Sequence, residues 1–226
     1  MKFIRKLCVV LIFGFSSHAL LAAEILVNGG FETGDFTGWN STLSGGVDCW
    51  TDWTIGTAGS ETGCLPLSAP TEGTYAAYNA FDGFASSFYT LSQDVILPNG
   101  NLMAELSFDI TAQWFNGGAL ARVFDLNIVH DGVDLGPIYH FEAAAGSDGA
   151  FDWTSFNFDI SDLLSDYSGN VITIEADVFI PEQFTGPGGF GLDNVSLNVS
   201  QVSEPSVFLM FLMFLGLIKA SRFNKS

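Results

Sequence analysis

Carboxylates carry most of the chemistry this sequence can offer. Glu175 and Asp177 stand two apart in an alternating run, so on a strand they share one face, opposite Ile174 and Ala176. Paired carboxyls on a sandwich face equip a glycoside hydrolase; they serve equally as an acidic surface or a cation site. Asp193 precedes Val195, Leu197 and Val199 at the same parity, which turns its carboxyl to the apolar side. A charge there needs compensation. Beyond residue 23 the only histidines are His130 and His140, and no spacing joins them to a nucleophile, so they are read as surface or strand-edge residues. No G-x-S-x-G elbow supports serine hydrolysis. The segment Asp125-x-Asn127-x-Val129-His130 begins like a calcium loop but lacks the oxygen ligand at position five and the glycine at six, so it reads as a strand.

Aromatic side chains are the other resource, because they stack on the apolar faces of pyranose rings while polar groups fix the hydroxyls. Trp50, Trp53 and Trp114 are the first candidates for ligand binding, with Tyr139 and Trp153 after them; Trp39 is assigned to the core. Packing is the alternative for each, since 22 Phe show that this chain fills space with aromatics. Cys49 and Cys64 form an even pair that could close a disulfide loop around Trp50, Asp52 and Trp53. Such a loop is worth about 3 kcal/mol in the chain-entropy model.

The two ends carry sorting signals. Lys2, Arg5 and Lys6, the apolar run 7–15 and Ala22-Ala23 follow the order of a secretory signal peptide, so residues 1–23 are expected to be removed on export. At the other end Ser203-Glu204-Pro205 precedes the apolar run 207–218, and Lys219, Arg222 and Lys225 follow it. Residues 205–220 as a helix reach only about 24 Å, against a hydrocarbon core of ~30 Å. Residues 201–226 resemble the bacterial PEP-CTERM sorting signal, with Ser203 in place of its first proline. The resemblance implies transient membrane anchoring through this segment, processing by an exosortase-type enzyme, and delivery to the cell surface or extracellular matrix. A plain C-terminal anchor is the alternative.

Removing both ends sharpens the charge. All 25 acidic residues lie between positions 24 and 204, where Arg122 is the one Lys or Arg, so this region carries 1 − 25 = −24 against −18 for the whole chain. Nucleic acid is excluded as a partner. Such a surface repels itself and anionic membranes and favours bound divalent cations.

The elements that must position these groups are strands. Leu102, Ala104, Leu106, Phe108, Ile110 and Trp114 share one face, with Glu105, Ser107, Asp109 and Gln113 on the other. The same period of two runs through 124–128, 156–160, 172–180 and 191–199. Pro98-Asn99-Gly100, Asp131-Gly132 and 186–189 mark turns, the second of them a hairpin, and only 161–167 reads as a helical turn. Residues 24–200 are therefore expected to form one all-β domain, an antiparallel β-sandwich or jelly roll.

Two short motifs at the ends of that domain, NGGFE at 28–32 and LDNVSL at 192–197, resemble those of family 4/9-type carbohydrate-binding modules and related galactose-binding-like domains. The resemblance implies first and last strands lying together and a structural Ca²⁺ held by Glu32 and Asp193, with carbonyls from Asn28 or Gly30. Glu175 and Asp177 also resemble the start of the E-x-D-x-x-E signature of laminarinase-like jelly rolls, but Ile180 stands where the third carboxylate is required, so no catalytic residue is assigned. The expected function is a non-catalytic module binding a polysaccharide or glycan. The alternative is an acidic, calcium-bridged structural or adhesive matrix protein.

Overall fold

A computed structural model of the chain describes residues 22–45, 52–57, 68–81 and 85–202. The signal segment 1–21, the sorting motif Ser203-Glu204-Pro205 with its apolar run, and Trp50, Cys49 and Cys64 lie outside the described residues. Among those described, no helix is long and apolar enough to cross a membrane.

Among the described residues eleven strands build two antiparallel sheets. They are β1 (Ala23–Glu24), β2 (Asn40–Gly45), β3 (Thr54–Gly56), β4 (Ala76–Phe81), β5 (Ser87–Ile96), β6 (Leu102–Asn116), β7 (Arg122–His130), β8 (Val133–Ala143), β9 (Ser147–Asp159), β10 (Val171–Ile180) and β11 (Gly188–Gln201). One sheet runs β3-β4-β11-β6-β9, with β1 also on β11; the other runs β2-β5-β10-β7-β8. Their apolar faces meet in a core to which Leu106, Phe108, Ile110, Leu192 and Leu197 contribute from the first sheet, and Leu91, Phe124, Leu126, Ile174 and Val178 from the second. The architecture is an all-β antiparallel sandwich consistent with a jelly roll, and among the described residues the helical content is α1 (Ser161–Leu164) and the 3-10 turn Ser165–Tyr167, inside the expected 161–167.

Period two places the side chains as expected. In β6 the residues from Leu102 to Phe108 alternate between buried and outward-facing. The β7–β8 hairpin turns on Asp131 and Gly132, both left-handed (φ 49° and 74°), the combination that two-residue hairpins favour. The strands alternation did not indicate are β1 to β4. β4, AAYNAF, is buried on both faces, the inner one against the core and the outer one, at Ala76 and Tyr78, against Trp153, so it offers no polar parity to read.

The two poles of the sandwich differ. β11 pairs Gln201 with Leu102 at one end and Gly188 with Trp114 at the other. Ala23 pairs with Val199, and the Val202 amide donates to the Asn101 carbonyl. Both ends of the domain therefore lie at the pole of residues 97–104, while the 181–187 connection lies at the opposite pole.

Candidate functional site

Register across the five-stranded sheet gathers a polar strip on its outward face. Thr42 pairs with Thr90, Thr90 with Asp177, Asp177 with Asp125, and Asp125 with His140, so one row crosses β2-β5-β10-β7-β8. The next row brings Ser92, Glu175 and Asn127 together. Asp177 is the hub: it accepts from Thr90 Oγ1 at 2.7 Å and from Asn127 Nδ2 at 3.0 Å. Asp125 Oδ1 lies 2.6 Å from His140 Nδ1, so the ring donates to it as the Nδ1–H tautomer or as imidazolium. His130 stands apart, against Tyr167 and the Val171 carbonyl.

Both carboxyls of the pair Glu175 and Asp177 are raised above the ordinary carboxylate range. Burial, then the Asp177 charge and a hydrogen bond to it, then Asp134, push Glu175 up to about 7. Burial also raises Asp177, against the pull of Thr90, Glu175 and Asn127. Two carboxyls side by side on one face offer several hydrogen-bond acceptors, and a donor as well when either is protonated.

Beside this strip Phe88 and Phe179 stand opposite each other in register, ring centroids 6.2 Å apart, each 40% exposed. Exposed aromatics contribute nothing to the core, and they give the face an apolar patch next to its polar row. Both were readable from parity, since Phe179 falls in phase with Glu175 and Asp177, and Phe88 with Thr90 and Ser92.

The tryptophans selected from the sequence behave differently. Trp53 is a correction: it is 4% exposed and belongs to the core, pinned where Asp52 accepts from both Ser41 and the Trp53 amide. Trp114 is wedged between Phe141 and Phe151, with centroids at 5.1 and 6.4 Å, and its Nε1 donates to Ser147. Tyr139 packs on Phe156 and Phe108. Trp153 lies against Tyr78 and donates to the Ala69 carbonyl. Packing was the stronger claim on all four. Trp39 is in the core as expected.

The opening motif works as a joint. The Asn28 carbonyl accepts from both Phe31 N and Trp39 Nε1, and its amide ties to residues 33, 35 and 37. The Asn28 carbonyl thus serves two N–H groups of the chain itself. Gly29 lies on the bulge that shifts the β11–β6 register after Asp193, its carbonyl accepting from Val195 N at 3.0 Å. Phe31, left-handed at φ 56°, is fully buried against Phe36 and Trp39. Glu32 accepts from the amides of Thr74 and Tyr75.

Asp193 is 1% exposed, and its Oδ2 is buried without a hydrogen-bond partner, while Oδ1 accepts from Asn194 N. A Cβ added to Gly30 would sit 3.9 Å from both Asp193 Oδ1 and Glu32 Cγ, so the structure brings these three together. Burial first, then the charges of Asp109, Glu32 and Glu72, push Asp193 up to about 7. Asp109, its cross-strand partner, goes the other way: burial raises it, but hydrogen bonds from Ser155, Asn194 and Thr71 together hold it below the usual range. Asp109 and Glu72 were not singled out in the sequence, because nothing in local spacing joins positions 72, 109 and 193. Among the described residues, no group of three or more His, Cys, Asp or Glu side chains is arranged to hold a metal ion.

No protein-family model matches this chain, and no curated protein matches it. Among solved structures, the chain is similar to TmCBM61 in complex with β-1,4-galactotriose (22% identity, TM-score 0.49, covering 77% of this chain and 97% of that one). It is also similar to the family 11 carbohydrate-binding module of Clostridium thermocellum with a β-1,3-1,4-mixed-linked tetrasaccharide (14%, TM-score 0.41, 81% and 99%). A third is the K3 cleaved adhesin domain of Lys-gingipain from Porphyromonas gingivalis W83 (13%, TM-score 0.46, 80% and 100%). None of these likenesses assigns a ligand to this chain.

Proposed function

We propose that this is an exported, non-catalytic domain that binds glycan chains across the outward face of its five-stranded sheet. The observation that carries the reading is the strip in which Thr90 and Asn127 donate to Asp177, and His140 bonds to Asp125 in the same row, beside the exposed Phe88–Phe179 pair. A sugar ring offers the same combination of hydroxyl edge and apolar face. On this reading export uses the N-terminal signal, and the PEP-CTERM-like end, after transient membrane anchoring, is handled by an exosortase-type enzyme at the cell surface or matrix.

The test is affinity electrophoresis of the full-length chain in gels containing neutral polysaccharides such as galactan, xylan or mixed-linkage β-glucan. Retardation by at least one is expected. Asp177→Asn and Phe179→Ala should each weaken it by about tenfold, the scale of losing one well-placed contact. A chain unretarded by any of them, or variants that migrate like the parent, overturns the proposal. The charge of −24 favours a second reading, a cation-bridged matrix element; calcium-dependent light scattering with no glycan retardation would select it.

A structural calcium fits the Asp193 cluster. An orphaned buried Oδ2 among Glu32, Glu72 and Asp109 is an anionic oxygen set lacking positive charge. Glu32 and Asp193 are the side chains that would hold the ion, with main-chain oxygen at Gly30 completing the set, so fewer than three acidic side chains need converge. Bound there, the ion would supply the charge that Arg122, engaged at the opposite pole, cannot. Chelation is expected to lower the melting temperature and added calcium to restore it; an unmoved melting temperature would remove the ion from the account.

A further inference from the structure

The 181–187 connection, which carries β10 over to β11, holds an aromatic side chain out of the fold. Phe184 is 64% exposed and sits in the left-handed region, φ 48°, where a bulky residue other than glycine is strained. The loop does not adopt this shape for want of restraint. Its second half is tied through the main chain to the β6–β7 region, Thr185 O accepting from Gly117 N at 2.7 Å and Pro187 O from Phe115 N at 2.9 Å. Glu182 accepts from Leu120 N at 2.6 Å. Beneath it lies Arg122, 1% exposed, its guanidinium 4.7 Å from the centre of the Phe81 ring. That guanidinium donates to Thr185 Oγ1 at 2.8 Å, Gly186 O at 2.6 Å and Pro187 O at 3.3 Å. The one Lys or Arg of the exported region is thus spent holding this loop.

The loop leaves β10 one residue after Phe179, and Ile180 pairs with Ser87, next to Phe88. Phe184 therefore stands at the same pole as the Phe88–Phe179 pair, with half-exposed Phe115 at the end of β6 and Leu120 on the β6–β7 connection. The patch is apolar, but a second copy of this chain is a poor occupant, because two domains each near −24 repel. The domain's own ends are remote. β11 alone, 14 residues at ~3.3 Å each, puts roughly 40 Å between this pole and the one where Ala23 and Val202 lie. A neutral partner with an apolar face fits, and the adjoining strip already presents groups for hydroxyls.

We propose that Phe184 is a stacking platform for a neutral sugar ring, a further binding subsite that extends the glycan face past Phe88 and Phe179 onto the pole opposite both ends of the domain. This rests on the glycan-binding reading above. The Arg122 clamp sets the platform in place before ligand arrives, so no ordering of the loop opposes binding.

The decisive variant is Phe184→Gly in the full-length chain, because glycine relieves the positive φ while removing the ring. Affinity electrophoresis in the polysaccharide that retards the parent is expected to show about tenfold weaker binding, with the melting temperature unchanged or higher. Phe184→Trp should bind at least as well as the parent. A purely structural Phe184 predicts the reverse for the glycine variant, a lower melting temperature with affinity intact, and that result overturns the subsite. Parent-like retardation of Phe184→Gly alongside loss in Phe179→Ala would leave the glycan face standing and sink the subsite alone. A parent chain that no polysaccharide retards removes both.

Discussion

Gly29→Ala is expected to destabilise the domain by about 4 kcal/mol or more, enough to lower its melting temperature by roughly 10 °C or prevent folding. The reason is backbone against backbone. A Cβ on Gly29 would overlap the Val195 carbonyl oxygen and stand 2.9 Å from its carbonyl carbon. No rotamer change relieves that. Moving the opening loop away breaks the Gly29–Val195 hydrogen bond at the β11 bulge and pulls on Phe31, which is fully buried two residues further on. Gly30→Ala is the control, since the nearest atom to its Cβ would be the Asn194 side-chain oxygen at 3.4 Å, an ordinary contact, and a cost within about 1 kcal/mol is expected. Thermal unfolding followed by circular dichroism compares the two. A Gly29→Ala protein that melts within a degree or two of the parent would mean that the opening motif is not a fixed joint.

That contrast between neighbouring glycines shows what the sequence could and could not convey. Alternation located β6, β7, β9, β10 and β11, and turn signals bounded β5 and β8; in β10 parity is written into the residue types, with Ile174, Ala176 and Val178 on the core side and Glu175, Asp177 and Phe179 on the other. It also delivered the inward Asp193. Cross-strand register is a different matter. That Asp177 would meet Thr90 and Asp125, or Asp193 meet Asp109, depends on which strands become neighbours and by how many residues they slide, and the bulge after Asp193 shifts even that. Tryptophan by itself was a poor guide to binding. In a chain with 22 Phe, large rings are mostly packing, and what distinguishes Phe88, Phe179 and Phe184 is their exposure. NGGFE was readable as a motif, but its division of labour, with Asn28 shaping the loop, Gly29 on the bulge and Glu32 on the 74–75 amides, is visible only in three dimensions.

The charge at Asp193 makes a prediction in which sign decides. Its carboxyl is raised from 3.8 to about 7 by burial and by Asp109, Glu32 and Glu72, so between these values the folded chain holds a proton that the unfolded chain has released. Folded stability in calcium-free buffer must therefore fall as pH rises from about 4 to about 7, and level off above, by up to ~4 kcal/mol from this group. Asp35, Asp152 and Asp159 act the other way, because hydrogen bonds lower them, and their contribution is lost only as pH drops below the ordinary carboxylate range. Maximum stability without calcium is thus expected in mildly acidic solution. Asp193→Asn removes the titration: it should raise the melting temperature at pH 8 without calcium, change it little at pH 5, and abolish the gain on adding calcium. An Asn variant that is equally destabilised at both pH values would show that Asp193 is held by a hydrogen bond its amide cannot replace. One that still gains fully from calcium would place the ion elsewhere. If the Asn variant behaves as expected, proton and cation are alternatives for the same buried oxygen, and the joint that closes the first strand on the last is set by whichever the surrounding solution supplies.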